Sequence, residues 1–241
     1  MNLRGTFRLF CLCLALIFIC GFRSLAQLQT DTLIHWVNSF PVEFYKKSLG
    51  TSTRLFNGRE YKAYHSAKDE NPYLFLDWTK ADLEYEGQWY NSVPIMVDIS
   101  NNGVIINYMG GFLQLVKEKL SQFVIKGRKF IFLQPAGLSP GFYELLYEGQ
   151  LKIYSHRQKK YKEKLTGMEI VREFEDQERF YVMIENQMHV IKNRKDFLAL
   201  FPAQMLVLKT EARKKGLRFK KNLRTDLIAL SIFCDQLNVA R

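Results

Sequence analysis

The chain has 241 residues, of which 47% are hydrophobic and 14% aromatic, and it carries a formal net charge of +11. This length allows one or two domains held by an ordinary hydrophobic core. After residue 26 no stretch approaches 18 uninterrupted apolar residues, so the pattern predicts no transmembrane helix in the rest of the chain.

Residues 1–26 are predicted to be a signal peptide. Arg4 and Arg8 precede an apolar run from Leu9 to Phe22, and the small residues Ser24 and Ala26 stand at the two positions that a signal peptidase inspects before a cut after Ala26. The apolar run is shorter than the roughly 20 residues that span a bilayer. The alternative interpretation is an N-terminal anchor that is retained. Cleavage would remove three arginines and lower the net charge from +11 to +8.

Cysteine usage indicates a protein without internal disulfides. Three of the four cysteines lie in the predicted signal peptide, which leaves only Cys234 in the exported chain. Cys234 stands at helical spacing from Leu227 and Leu230, and we therefore interpret it as a small buried hydrophobic residue, not as a nucleophile.

The predicted fold class is α+β and mainly β. Residues 27–52 are expected to form an N-terminal tether, and residues 53–192 to form an antiparallel β-meander of roughly nine to eleven short strands. Such a meander can curl into a barrel, a half-barrel or a sandwich. The clearest predicted strands are Pro72–Trp78, Val104–Tyr108, Phe112–Val116, Gln122–Ile125, Lys129–Leu133, Arg179–Ile184 and Met188–Ile191.

The tetrapeptide YEGQ occurs twice, at residues 85–88 and 147–150. We interpret both copies as one turn made twice, with three-residue loops that end at a left-handed glycine, Gly87 or Gly149. This loop places Leu83 opposite Trp89 in the first hairpin. In the second hairpin it places Leu145 opposite Leu151 and Tyr143 opposite Ile153. Because the flanking sequences differ, the repeat indicates a shared turn and not a duplicated functional unit.

Residues 193–241 change to a helical period and are expected to pack into the same domain. Asn193 is the predicted cap of a first helix, with Asp196 at its third position. Pro202 suits the start of a second helix, which Gly216 ends. A third helix is predicted from about Asn222 to Leu237, with an apolar stripe of Leu223, Leu227, Leu230, Cys234 and Leu237.

Positive charge is concentrated in two segments. Residues 156–164 contain five basic residues and one glutamate, which we interpret as a solvated surface. Residues 213–224 contain seven basic residues and no acidic one, with Leu217 and Phe219 interleaved. An exported protein is not expected to meet nucleic acid, so this segment is compatible with binding to an anionic envelope lipid or an acidic protein partner. The alternative is that its cations only make the surface soluble and complement the C-terminal end of a helix. The candidate binding residues are Arg213, Lys214, Lys215, Arg218, Lys220, Lys221 and Arg224.

The sequence lacks recognisable catalytic motifs. Its four histidines show no His-x-x-x-His spacing, and there is no Gly-x-Ser-x-Gly elbow or phosphate-binding glycine loop. No metal site or cofactor is predicted. Asp69-Glu70 with Asp98, or His189 with a distant carboxylate, would have to be brought together by folding to form an active site.

Several motifs resemble those of an uncharacterised family of exported proteins from Gram-negative bacteria. These motifs are residues 54–61, Asn71-Pro72-Tyr73, residues 85–90 and residues 141–149, followed by the basic C-terminal helices. The resemblance spans about residues 53 to 237. It implies a location in the periplasm or on the outer surface, and it implies no activity or site residue.

Two functions are compatible with the sequence. The first is a non-catalytic envelope protein that binds an apolar ligand in the meander or docks on an anionic surface or partner through residues 213–224. The alternative is an exported hydrolase acting on envelope polymers, which requires two acids, or an acid and a histidine, in one cleft.

Overall fold

A computed structural model describes residues 54–63, 71–108 and 111–237 of the protein. The predicted signal peptide and tether, and also His35, His65 and the Asp69-Glu70 pair, lie outside these residues. Within them the chain is mainly β, with eleven antiparallel strands in a single sheet and a few C-terminal helices.

The strands are β1 (Gly58–Glu60), β2 (Thr79–Tyr85), β3 (Gln88–Asp98), β4 (Gly103–Tyr108), β5 (Gly111–Leu115), β6 (Leu120–Ile125), β7 (Arg128–Leu133), β8 (Gly141–Glu148), β9 (Lys152–Thr166), β10 (Glu169–Ile184) and β11 (Gln187–Ile191). Their order in the sheet is β1-β5-β4-β3-β2-β6-β7-β8-β9-β10-β11. Among the described strands, β1 and β11 form the two edges and do not pair with each other, so the sheet is not closed into a barrel.

The first part of the sheet is strongly curved. Three strands lie between β5 and β6, so a flat sheet would separate them by about 19 Å. The five-residue step from Leu115 to Leu120 reaches at most about 18 Å even when fully extended, and it contains a 3₁₀ turn at Lys117–Lys119. The hydroxyl of Tyr85 on β2 also donates to the carbonyl of Asn57, beside edge strand β1, at 2.8 Å.

The predicted antiparallel, mainly β sheet and its number of strands are confirmed, but a closed barrel, one of the forms predicted for it, is wrong. The order is also not that of one simple meander, because β5 lies beside β1 and β6 beside β2. Two further details of the prediction are wrong. Residues 72–78 are not a strand, and only Tyr73 forms an isolated bridge, with Asp98. The side chain of Asn71 accepts from the amide of Tyr73, which favours a turn there over an extended ladder. β9 and β10 are also much longer than predicted, at 15 and 16 residues.

The two YEGQ copies do not make the same turn. In the first hairpin Tyr85 pairs with Gln88 and Leu83 pairs with Tyr90, so the loop has two residues and not three. Both loop residues have positive φ, 50° at Glu86 and 74° at Gly87, as in a type I′ turn. The predicted pairing of Leu83 with Trp89 is therefore wrong.

In the second hairpin Glu148 pairs with Lys152 and Tyr147 with Ile153, so the loop is residues 149–151. The predicted loop and both predicted pairings are wrong. Gly149 is also not among the described glycines with positive φ. The physical reason is Leu151, which is fully buried in the loop against the C-terminal helices.

The helices follow the predicted caps closely. They are α1 (Arg194–Ala199), α2 (Met205–Lys214) and α3 (Leu223–Gln236). Asn193 accepts from the amides of Lys195 and Asp196, at 2.8 and 3.3 Å. Gly216 has φ +63° directly after α2. Of the predicted stripe on α3, Leu227, Leu230 and Cys234 are buried, whereas Leu237 is 40% exposed.

The described residues form two large apolar clusters. One lies mostly between β2 and β8 and also contains Leu55, and its sixteen buried residues include Tyr85, Phe123 and Phe142. The other joins β9, β10 and β11 to the three helices and includes Ile153, Phe197 and Leu230. The packed first cluster favours a filled core over a cavity for an apolar ligand.

Candidate functional site

The basic segment 213–224 is built from alternating inward and outward side chains. Phe219 is buried in the helical cluster and Leu217 is half-buried against it. Arg218 and Lys220, which alternate with them, are exposed, as is Lys221. The apolar residues between the charges therefore anchor the loop and turn its cations outward.

Backbone hydrogen bonds hold the loop in this shape. The carbonyl of Arg218 accepts from the amides of Lys221 and Asn222, at 2.7 and 3.2 Å. The backbone of Arg218 also lies near the carboxyl of Asp226 on α3. Burial raises the pKa of Asp226, and its interaction with the Arg218 backbone opposes that rise.

Folding brings a second group of cations to this loop. The corner between β11 and α1 carries basic side chains that line two adjoining hollows together with Phe219, Lys220 and Lys221. The hollows have volumes of about 760 and 640 Å³. We call them together the basic groove. Arg224 also lines it, and its six other cations are Lys192, Arg194, Lys195, Arg218, Lys220 and Lys221.

These six cations of the basic groove have no carboxylate within ion-pair distance in the described parts of the chain. The hollow beside α1 has no acidic side chain among its described lining residues. Glu178 lines the other hollow but is held by Arg224. The groove therefore concentrates uncompensated positive charge over a partly apolar floor.

Sequence reasoning missed Lys192, Arg194 and Lys195, which precede the basic segment by about twenty residues. A signal for them exists, because cations around the first turn of a helix oppose the helix dipole. The three cations around the cap residue Asn193 therefore lower the local stability of the helix.

Arg224 differs from the other predicted binding residues because it is held by carboxylates. Its guanidinium donates to both carboxylate oxygens of Glu144, at 2.9 and 2.7 Å, and to Glu178 at 2.5 Å. Arg128 makes a second two-bond contact with Glu144, at 2.7 and 2.6 Å. Arg224 therefore ties α3 to the sheet, and its charge is compensated although 33% of its side chain is exposed.

Glu144 is the centre of this buried ionic network and is only 4% exposed. Burial acts to raise its pKa, but the hydrogen bonds and positive charges of Arg128 and Arg224 outweigh burial and lower the pKa to about 2. A carboxylate held ionised by two arginines is a structural group, and it is a poor general acid or base near neutral pH.

The remaining predicted binding residues lie at the end of α2. Arg213 and Lys214 are exposed on its last turn. Lys215 pairs with Glu211 at 3.3 Å and lies over the ring of Phe233 at 5.7 Å. Neither of the described hollows includes these three residues among its lining.

The second basic segment, 156–164, has partners that neutralise it. Arg157 pairs with Asp176 and Lys164 with Glu173, across the β9–β10 ladder. The amine of Lys159 donates to the carbonyls of Asn71 and Tyr73. This segment differs from the basic groove because acidic residues on the neighbouring strand balance its charge.

The catalytic candidates that lie within the described residues do not come together. His156 stacks on Tyr143 with ring centroids 4.6 Å apart, and its pKa is lowered by burial and then by the charge of Arg179. Asp98 accepts from Tyr61, Ser100 and the amide of Asn101. In the described residues, no hydrogen bond joins His156 or His189 to a carboxylate.

Neither the Cys234 thiol nor the metal-ligating side chains of the described residues form a reactive site. Burial raises the pKa of the Cys234 thiol to about 12, so the thiol stays protonated and unreactive. Within the part of the chain that the structure describes, no three metal-ligating side chains are grouped to hold an ion. No helix in that part is both long and apolar enough to cross a membrane.

Comparison with known proteins finds no match to a protein family, to a curated protein or to a solved structure. The resemblance to a family of exported proteins therefore stays a prediction.

Proposed function

We propose that this protein is a non-catalytic, exported envelope protein that docks on anionic lipid through the basic groove. The observation that carries the proposal is the meeting of two separate cationic segments in one open hollow. Neither segment is neutralised there, although most other described clusters of cations in the protein have carboxylate partners. Export, the periplasmic or outer-surface location and the lipid partner are parts of this proposal.

The chemistry of the groove suits phosphate groups at a surface. Two arginines offer paired donors that match phosphate oxygens, and four lysines act as point charges. Each basic residue near an anionic surface contributes about 1 kcal/mol at physiological salt. An open hollow with several separate cations can contact several headgroups at once, whereas a single buried anion would require a closed and hydrogen-bonded pocket.

The partly apolar floor favours an amphiphile over an acidic protein segment. Leu217 is half-buried, so part of its side chain remains available between Arg218 and the start of α1. A lipid presents anionic and apolar groups within a few ångströms of each other, which is the combination that the groove lining offers.

The test compares binding to neutral and anionic vesicles over a salt series. The groove variant carries Lys195→Gln, Arg218→Gln, Lys220→Gln and Lys221→Gln. A control of equal charge change carries Lys62→Gln, Lys80→Gln, Lys160→Gln and Lys209→Gln, all at exposed positions outside the groove. We expect anion-dependent binding at low salt that the groove variant weakens at least tenfold and that the control largely keeps.

Equal weakening by both variants would mean that net charge alone attracts the protein to the vesicles, and the groove proposal would be wrong. No preference for anionic vesicles, combined with groove-dependent binding to polyglutamate, would assign the groove to an acidic protein partner instead.

A further inference from the structure

The β9–β10 hairpin extends well beyond its neighbours in the sheet. β8 pairs with β9 only up to Ser155, and β11 pairs with β10 only from Phe180 onward. β9 and β10 continue to pair with each other as far as Thr166 and Glu169. Lys159 contacts the body of the sheet through its amide, which donates to the carbonyl of Ile99, and through its amine, which donates to the carbonyl of Asn71. We call residues 160–175 the distal arm, and its two paired strands extend about 20 Å beyond Lys159.

Cross-strand contacts make the distal arm a defined ribbon. Tyr161 pairs with Phe174, with ring centroids 5.9 Å apart. The guanidinium of Arg172 lies 4.5 Å above the ring of Tyr161 and also pairs with Glu163. Such aromatic and charged pairs are what a two-stranded ribbon needs, because two strands alone are marginally stable in water.

The distal end of the arm carries large exposed apolar side chains. Leu165 is 71% exposed and Ile170, its cross-strand partner, is 60% exposed. Met168 at the turn is fully exposed. Three apolar side chains at the end of a projecting ribbon are costly in water, and groups of this kind mark an interaction surface.

Only the end of the ribbon is apolar. Because side chains alternate along a strand and opposed residues share a face, Leu165 and Ile170 lie on the same face as the Tyr161–Phe174 pair, and the Glu163–Arg172 ion pair lies between them. The opposite face carries Lys160 opposite Glu175 and Lys162 opposite Glu173. An apolar tip next to charged pairs on both faces suits a boundary at which the tip meets hydrocarbon and the rest of the arm stays in water.

The two edges of the arm disfavour pairing with a second copy of the chain. Residues 157–164 contain five basic residues and one acidic, whereas residues 169–178 contain five acidic residues and one basic. A symmetric dimer would place β9 beside β9 or β10 beside β10, and would therefore bring like charges together.

A convex tip also disfavours a protein occupant. A protein partner would need a concave pocket matched to Leu165, Met168 and Ile170, whereas a bilayer accepts a projecting apolar tip without a preformed site. We propose that the distal arm inserts this apolar tip into the interfacial region of a lipid bilayer, with its charged pairs in water. This inference rests on the proposed function for the identity of the surface, and adds a second, apolar contact with it.

The experiment uses protein purified from cells that express the full-length gene, so that every variant has the same N-terminus. Binding to neutral phosphatidylcholine vesicles is measured by flotation at 1 M salt, where the Debye length is about 3 Å and attraction to charge is suppressed. The tip variant carries Leu165→Ser, Met168→Ser and Ile170→Ser. The matched control carries Lys160→Ser, Lys162→Ser and Glu175→Ser, at exposed positions of the opposite face.

We expect the tip variant to bind at least about tenfold more weakly than the unaltered protein and the control to bind equally well. All six positions are exposed, so both variants should unfold at nearly the same temperature as the unaltered protein. In a second measurement, the fluorescence of Met168→Trp should be quenched by lipids brominated on their acyl chains, and that of Glu175→Trp should be quenched far less.

Equal binding by the tip variant, absence of binding to neutral vesicles, or unquenched Met168→Trp fluorescence would each overturn the proposal. The two proposals fail separately. Loss of anion-dependent binding at low salt in the groove variant tests the basic groove, whereas salt-resistant binding tests the tip.

Discussion

The two YEGQ segments have the same four residues and different structures. At residues 85–88 they form a two-residue turn, with Tyr85 buried and Glu86 paired with Lys119. At residues 147–150 they end a strand and enter a longer loop that docks on α3. The difference shows that this tetrapeptide can form more than one kind of turn. Contacts with the rest of the fold determine which turn it forms.

At the second copy, the turn is determined by contacts with the C-terminal end of α3. One oxygen of Asp235 accepts from the hydroxyl of Tyr147 at 2.7 Å and from the amide of Gln150 at 3.0 Å. An acidic residue in the last turn of a helix opposes the helix dipole, so Asp235 lowers the stability of α3 locally. The two hydrogen bonds that it accepts compensate for this cost. At the first copy, Tyr85 donates instead to the carbonyl of Asn57.

The largest effect is expected at Gly149. A Cβ there would lie 1.8 Å from a carboxylate oxygen of Asp235 and 2.8 Å from the hydroxyl of Tyr147. Gly149→Ala should therefore displace the carboxylate and lower the free energy of unfolding by about 3 kcal/mol, measured by urea denaturation. In an Asp235→Ala background the same change should cost much less. Equal costs in both backgrounds would contradict the docking interpretation.

Removal of the docking carboxylate should have the next largest effect. Asp235→Ala should lower the free energy of unfolding by about 2 kcal/mol, because a hydroxyl and an amide lose a charged acceptor. Glu86→Ala at the first turn breaks a surface ion pair and should cost less than about 1 kcal/mol. The comparison fails if the two changes have equal effects in the same urea titration.

Tyr147 should add a pH dependence to the second turn. Its hydrogen bond to Asp235 raises its pKa to about 12, with burial and the Asp235 charge adding to the effect. The ordinary value is 10.0, so the folded state holds this proton more tightly. The stabilisation is complete below pH 10 and is lost as the pH rises toward 12.

The measurement is the difference in unfolding free energy between the unaltered protein and Tyr147→Phe. It should be about 1 kcal/mol at pH 7 and should shrink between pH 10 and 12. Tyr85→Phe serves as the control and should not couple to Asp235→Ala in a double-mutant cycle. A difference for Tyr147→Phe that stays constant with pH would remove Asp235 from the explanation.

Of the two turn glycines, Gly87 is expected to show the smaller effect. This residue has φ +74° and no atom within 4 Å of an added Cβ, so only backbone strain opposes a side chain there. Gly87→Ala should cost about 1 kcal/mol, after the lower entropy of the unfolded chain is counted. Gly87→Asn should cost less, because asparagine tolerates the left-handed region. If Gly87→Asn and Gly87→Ala lower the free energy of unfolding equally, backbone strain is not the cause of the loss.

Features governed by local residues were predicted well. Helix caps depend on a few neighbouring groups, so Asn193 and Gly216 could be identified from the sequence. The alternation of apolar residues was sufficient to predict an antiparallel sheet and most of its strands. Hairpin register was predicted incorrectly because it depends on which side chain the core buries, and the burial of Leu151 needs helices more than forty residues away in the chain.

The candidate site was only half visible in the sequence. Residues 213–224 stand out as a basic run, whereas Lys192, Arg194 and Lys195 are scattered around a helix cap and become part of the groove only when α1 packs beside the loop. Arg224 belongs to the same basic run, yet it forms ion pairs with Glu144 and Glu178, because β8 and β10 place these carboxylates beside α3.

The sequence by itself determined the mainly β character of the described residues, their helical C-terminus and a concentration of positive charge, because these follow from side-chain periodicity and composition. The tertiary structure alone decided the open, curved sheet, the two different YEGQ turns, which cations remain unpaired, and the exposure of Leu165, Met168 and Ile170 at the end of the arm. Each of these depends on contacts between residues far apart in the chain, and a local pattern carries no record of such contacts.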